Sequence, residues 1–211
     1  MEEKITQIKD WLGTGAINIF GSAFAGKDTI GERLAKLIDA ELIVSGDIVR
    51  AARDRAQNAA IQEAAKNTDR GGWMAMEEYK QLIAPYLTDE KISGRPLVLS
   101  MVGRWLGEEQ PVMEALKSGG HDTRAVLLIN IPEEEVWRRW ETVGDTRQGG
   151  RPDDLTREKV LRRLNDFHDK TLPVIDIYRS MGLVIEVNGQ QSRDEVFAEV
   201  IDKLYNFSQT N

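Results

Sequence analysis

Gly21-Ser22-Ala23-Phe24-Ala25-Gly26-Lys27-Asp28-Thr29 decides how this chain is read. The apolar run Ala16–Phe20 precedes it, and Ile30, Leu34, Leu37 and Ile38 follow at helical spacing, so it joins a short strand to a helix. Its glycines let backbone N–H groups turn inward, Lys27 adds a mobile cation, and the helix start adds its dipole. Such a turn cradles phosphate, in the strand–turn–helix setting that the motif requires. The usual form places a hydroxyl directly after the lysine. Here Asp28 intervenes and the hydroxyl comes at Thr29.

Outward from this turn, residues 1–15 read as an amphipathic helix with Ile5, Ile8, Trp11 and Leu12 on one stripe, ended by Gly13-Thr14-Gly15. Further strands are predicted at Glu41–Val44, Pro96–Val102, Ala125–Ile131 and Leu183–Val187. Between them lie helical patterns at Asp47 to about Lys66, Met76–Leu87, Glu108–Lys117, Glu133–Glu141, Leu155 to about Lys170 with a restart at Pro173, and Arg193–Leu204. Strands that are continuous apolar runs, alternating with helices, predict an α/β fold. Its five-stranded parallel sheet is covered on both faces in the three-layer P-loop arrangement. There is no internal repeat, low-complexity tract or linker, so residues 1–211 read as one domain.

Composition narrows the function. The chain has 211 residues, and no apolar run approaches the roughly 20 that a membrane helix needs. The opening Met1-Glu2-Glu3-Lys4 carries early acids, so no signal peptide is expected. With no cysteine, disulfides and thiolate chemistry are excluded, which fits a reducing cytoplasm. A formal net charge of −7 argues against a nucleic-acid surface. Arginine supplies 17 of the 28 basic residues, and its guanidinium fork suits phosphate.

The one-residue delay before the hydroxyl resembles the adenylate kinases, and further matches follow in order along nearly the whole chain. Ser45-Gly46-Asp47-Ile48-Val49-Arg50 resembles the segment that meets the acceptor nucleotide, and Gly72-Trp73-Met74-Ala75 the stretch that closes over its base. Arg104, just after the third strand, falls where the family has a phosphate-binding arginine. Ile131-Pro132-Glu133-Glu134 resembles the approach to the lid. Arg151-Pro152-Asp153-Asp154 with Arg163 resembles the lid-closing arginine, its acidic pair and a second arginine. Thr171-Leu172-Pro173, Tyr178 and Val187-Asn188-Gly189 also match in order.

The resemblance implies a nucleoside monophosphate kinase of nucleotide biosynthesis that uses ATP and magnesium, is cytoplasmic, and is expected to be a monomer. It implies an acceptor-binding insertion at about 46–87 and a short lid at about 141–152. Gly21, Ser22, Ala23, Phe24, Ala25, Gly26, Lys27, Asp28, Thr29 and Gly189 would hold ATP, with Thr29 and Asp28 toward the metal. Ser45, Gly46, Arg50, Trp73, Met74, Ala75, Arg104 and Gln110 would hold the acceptor. Lys27, Arg104, Arg147, Arg151 and Arg163 would stabilise the transferring phosphate, since phosphoryl transfer needs alignment and charge shielding more than covalent chemistry.

Two departures bear on this reading. The family's Asp-Gly-Phe-Pro-Arg is here Ser100-Met101-Val102-Gly103-Arg104, so the acid that orders magnesium's waters is missing. Two roles for Asp28 stay open: a replacement acid at the metal, or an early-helix charge favoured by the dipole. The base-reading glutamine has three candidates, Glu108, Glu109 and Gln110. AMP is the acceptor on resemblance. The alternatives are a nucleotide-binding regulator that has lost transfer activity and a P-loop kinase for another metabolite.

Overall fold

The computed structural model describes residues 2–55, 59–69, 75–143 and 156–210. Its strands are β1 (Ala16–Gly21), β2 (Glu41–Val44), β3 (Leu97–Ser100), β4 (Thr123–Asn130) and β5 (Val184–Asn188). They form one parallel sheet in the order β2-β3-β1-β4-β5. All six residues of β1 are buried because it has a strand on each side and helices on both faces. At the edge, β5 alternates between covered and open positions.

Side chains leave the sheet alternately, and the two faces bury different helices. Ile17, Ile19, Leu127, Ile129 and Ile185 pack against α1 (Glu2–Leu12), α2 (Lys27–Ile38) and α10 (Arg193–Ser208). On the opposite face, Phe20, Val126 and Leu128 meet α9 (Leu172–Ser180). Leu97 and Leu99 meet α3 (Ser45–Arg55), α4 (Ala59–Asp69), α5 (Met76–Leu87) and α6 (Glu109–Ser118) through one apolar cluster. Among the described residues the remaining α-helices are α7 (Glu133–Val143) and α8 (Arg157–Asp166).

The expected α/β fold with a five-stranded parallel sheet is the fold observed. Two helical expectations change. The helix expected from Asp47 to about Lys66 is two, α3 and α4, which pack against each other with Ala52 and Ala65 buried in the same cluster. Packing side by side requires the chain to reverse, which one continuous helix cannot do. The long helix ending near Lys170 is α8 followed by a wider π turn, Phe167–Thr171, that runs into α9. Pro173 lies in the first turn of α9, where its missing N–H costs least.

Candidate active site

The carboxyl ends of the strands converge on one crevice, where ligands bind in open α/β sheets. At the end of β1 the chain makes its phosphate-type turn. Gly26 caps α2 with φ +85°, a left-handed conformation that suits glycine, so the first N–H groups of α2 face the turn. Phe24 takes φ +61°, uncommon for a residue with a side chain. Its carbonyl accepts from Arg139 Nη1 at 3.1 Å, and Arg139 Nη2 donates to the Gly189 carbonyl at 2.6 Å. Glu135 accepts from Arg139 Nε at 2.6 Å, so one guanidinium ties the turn after β1 to the turn after β5.

The turn after β3 is held as firmly. Met101 and Gly103 take φ +57° and +72°. A Cβ on Gly103 would approach Val112 Cγ2 to 2.8 Å, so that position needs glycine twice over. Asn18 Nδ2 donates to the Val102 carbonyl at 2.6 Å, and the Gly103 N–H donates to the Tyr79 hydroxyl at 2.7 Å. These bonds present Arg104 to the crevice, its guanidinium 5.5 Å from the Trp105 ring centre. Burial, with the negative charge of Glu108 nearby, pushes the Tyr79 phenol well above its ordinary range.

Two cavities open on the crevice. One, of about 550 Å³, lies against Phe24–Ile30, Arg138, Arg139, Gly189 and Gln191–Arg193. The other runs from Gly21–Ala23 past Ser45, Gly46 and Arg50 of α3 to Ser100, Arg104 and Trp105, and is closed by Arg162, Asp166 and the π turn. Lys27, Asp28 and Arg163 border both. Lys27 is only 8% exposed. Two anionic ligands seated in these cavities would therefore meet at a lysine and an arginine.

Asp28 has a partner at this junction. Ser100, 1% exposed at the end of β3, donates from Oγ to Asp28 Oδ1 at 2.7 Å. The carboxylate of α2 thus reaches the end of the third strand, where the sequence has no acid of its own. Magnesium takes oxygen donors, keeps several waters, and is usually held by one or two carboxylates together with substrate phosphates. Asp28 and the Thr29 hydroxyl suit that role. Among the described residues no group of three or more acidic or histidine side chains could hold an ion alone.

Most of the residues singled out from the sequence come together here. Gly21, Ser22, Ala23, Ser45, Gly46, Arg50 and Arg104 line one cavity; Phe24, Ala25, Gly26, Thr29 and Gly189 line the other. Arg50 is paired with Asp47 one turn away. Ala75 is exposed at the start of α5. Gln110 does not face the crevice. It is exposed on α6 and bonded to Glu114 at 2.9 Å, while the buried Glu108 borders a small recess with Ser45, Val49, Tyr79 and Arg104. Trp73, Met74, Arg147 and Arg151 lie outside the described residues. Arg139, which is not among the residues singled out from the sequence, joins the site through the Phe24 and Gly189 carbonyls. Its one local signal is Glu135 at the i,i+4 spacing.

No family model matches the chain. Similar sequences are adenylate kinases. The adenylate kinase of Synechococcus sp. is 30% identical over 190 residues, covering 90% of this chain and 96% of that one. That of Thermus thermophilus is 29% identical over 187 residues, 88% and 94% of the two chains. That of Kocuria rhizophila is 28% identical over 186 residues, 88% and 96%. With its phosphate turn, its parallel sheet and its paired cavities, the chain belongs to the adenylate kinase family and is a phosphotransferase of the nucleoside monophosphate kinase type.

Proposed function

We propose that this enzyme transfers the γ-phosphate of ATP to AMP, giving two ADP. The observation that carries the reading is the shared border of the two cavities at Lys27, Asp28 and Arg163. A donor over the turn after β1 and an acceptor beside α3 would present their phosphates to each other there. Holding both in line converts an encounter into a positioned reaction, and fixed cations stabilise the charge that spreads over the transferring group.

In this reading the N–H groups of residues 21–29 hold the donor phosphates, and Gly189 and Arg139 flank the donor base. Lys27 and Arg163 sit over the transferring phosphoryl. Arg50 and Arg104 hold the acceptor phosphate, Ser45 and Gly46 lie beside the acceptor, and Trp73, Met74 and Ala75 close over its base. Arg147 and Arg151, on a short lid at about 141–152, cover the phosphates and keep water out. Magnesium, when bound, would supply neutralising charge to the phosphates. Asp28 and Thr29 are its candidate contacts, with Ser100 holding the Asp28 carboxylate in place. The bond between Ser100 and Asp28 also weighs against a regulator that has lost transfer activity, because the missing acid has a replacement in reach. The same reading has the enzyme acting as a cytoplasmic monomer.

The test is ADP formation from ATP with AMP, GMP, CMP and UMP as acceptors. Preference for AMP is the expected result. Tight ATP binding with no turnover of any monophosphate would instead favour the regulator.

A further inference from the structure

The donor cavity carries more positive charge than a nucleoside triphosphate calls for. Lys27, Arg138, Arg139, Arg163 and Arg193 border it, with Asp28 as the one carboxylate among its described lining residues. Lys27 and Arg163 stand at the junction with the acceptor cavity. Arg138, Arg139 and Arg193 border only the donor cavity, together with Thr142, Gly189 and Gln191. In the donor reading above this is the nucleoside end, where the base and ribose of ATP bring no charge.

The three guanidinium groups there are unequally engaged. Arg139 holds the Phe24 and Gly189 carbonyls and Glu135. Arg138 gives Nε and Nη2 to the same Glu135, both at 2.6 Å, and its Nη1 makes no bond among the described residues. One carboxylate shared by two guanidinium groups leaves that trio with a net charge of +1. Arg193 is exposed, and its side chain makes no bond among the described residues. The acids beside it on α10 are already engaged: Asp194 accepts from Arg33 at 2.9 Å, and Glu195 from Ser192 Oγ at 2.6 Å.

We propose that Arg138 and Arg193 form an anion subsite of the donor cavity, taking a phosphate carried on the ribose of a bound adenine nucleotide. The inference rests on the donor reading. The 5′ phosphate chain does not supply this anion, because in that reading it runs along residues 21–29 to the junction, away from Gly189. The ribose hydroxyls are the positions at the nucleoside end that carry a phosphate ester. Such an ester brings about −1.5 to −2 charge at neutral pH and three acceptor oxygens, which matches the surplus of Arg193 and the trio. Guanidinium groups bind phosphate through paired N–H donors, and a free Nη1 and a free fork are available here. The cavity, about 550 Å³, has the size of sites that enclose whole small ligands. A nucleoside diphosphate with a ribose phosphate would hold this site with no γ-phosphate to give, and so compete with ATP.

The test is displacement of the β,γ-imido analogue of ATP, followed by calorimetry, with ADP and with ADP carrying a 2′- or a 3′-phosphate. In the wild type one of the two derivatives should bind with a Kd roughly tenfold below that of ADP, the scale of one charge-assisted bond. The derivative that does so identifies the hydroxyl, and its advantage should shrink as salt is raised. ADP is the internal reference for every variant. In Arg193→Gln the advantage should fall toward parity, in Arg193→Lys part of it should remain, and Arg138→Gln should reduce it as well. Equal Kd values for the three ligands in the wild type overturn the subsite and leave the donor reading standing. An advantage that persists unchanged in the double variant Arg138→Gln with Arg193→Gln also overturns it. ADP that fails to displace the analogue overturns both.

Discussion

Ser100 Oγ donates to Asp28 Oδ1 at 2.7 Å, joining the end of β3 to the first turn of α2. The two positions have exchanged chemistry relative to the family pattern: the strand end has lost its acid and the helix start has gained one. Asp28→Asn should lower kcat by roughly 10–100-fold and raise the magnesium concentration needed for half-maximal rate, the usual scale for a group that orients a metal's surroundings. The double variant Asp28→Gly with Ser100→Asp should recover much of that loss. A magnesium titration of turnover checks both. An unchanged requirement in Asp28→Asn would leave the residue as a helix-dipole charge.

Arg104 leaves a turn pinned by Asn18 and Tyr79 and faces the cavity lined by α3. Arg104→Ala should reduce kcat/KM by about 10³-fold or more, the scale of one arginine on a transferring phosphate. Its side chain is only half-buried, so the Tm should stay within about 2 °C of the wild type. Near-normal turnover would remove Arg104 from the site.

Arg139 joins the Phe24 and Gly189 carbonyls on the border of the donor cavity. Arg139→Met keeps most of the packing length but loses both bonds. The KM for ATP should rise by roughly 10-fold while the KM for the acceptor holds, because only the donor side is loosened. Equal rises in both constants would point to a general loss of structure instead.

The sheet was legible in the sequence because a buried parallel strand has to be a continuous apolar run, and β1 is six buried residues flanked by a helical pattern and a glycine turn. The reversal between α3 and α4 was not. Residues 56–58 are Ala-Gln-Asn, with no glycine or proline to mark a break. At the site, the phosphate turn and Arg104 were readable from their places after strands. Glu108 and Gln110 were not separable, because residues two apart at a helix start point about 200° apart and the choice depends on where α6 begins. Arg139 was hidden for another reason. Its two carbonyl acceptors lie 115 and 50 residues away, and only the folded chain brings them together.

Tyr79 accepts from the buried Gly103 N–H, and Tyr79→Phe removes that acceptor. The orphaned N–H should cost about 1–3 kcal/mol. For a chain of this length that is a fall in Tm of roughly 2–4 °C per kcal/mol, measurable by calorimetry. The same variant should raise the acceptor KM more than the ATP KM, since the turn it loosens carries Arg104. A fall in Tm with both KM values unchanged would mean that the turn holds its shape without the bond.

Glu135 couples the donor site to pH. It accepts from Arg138 Nε and Nη2, both at 2.6 Å, and from Arg139 Nε at 2.6 Å. The bonds from Arg138 and Arg139 outweigh the desolvation of the carboxyl and hold it down to about 2, against an ordinary value of 4.5. A carboxyl depressed on folding binds its proton more tightly in the unfolded chain, so its stabilisation is full above about pH 4.5. As the pH falls from there toward 2, the stabilisation is lost. Glu135→Gln removes the charge at every pH, and the Tm gap between it and the wild type should be open at pH 7 and close progressively below about pH 4.5. Because the same carboxylate orients Arg139, Glu135→Gln should also raise the KM for ATP at neutral pH, in the same direction as Arg139→Met. A gap that persists unchanged at pH 3 would mean that the two guanidinium groups keep their places without the charge, and the link between the Phe24 and Gly189 turns would then rest on the backbone bonds alone.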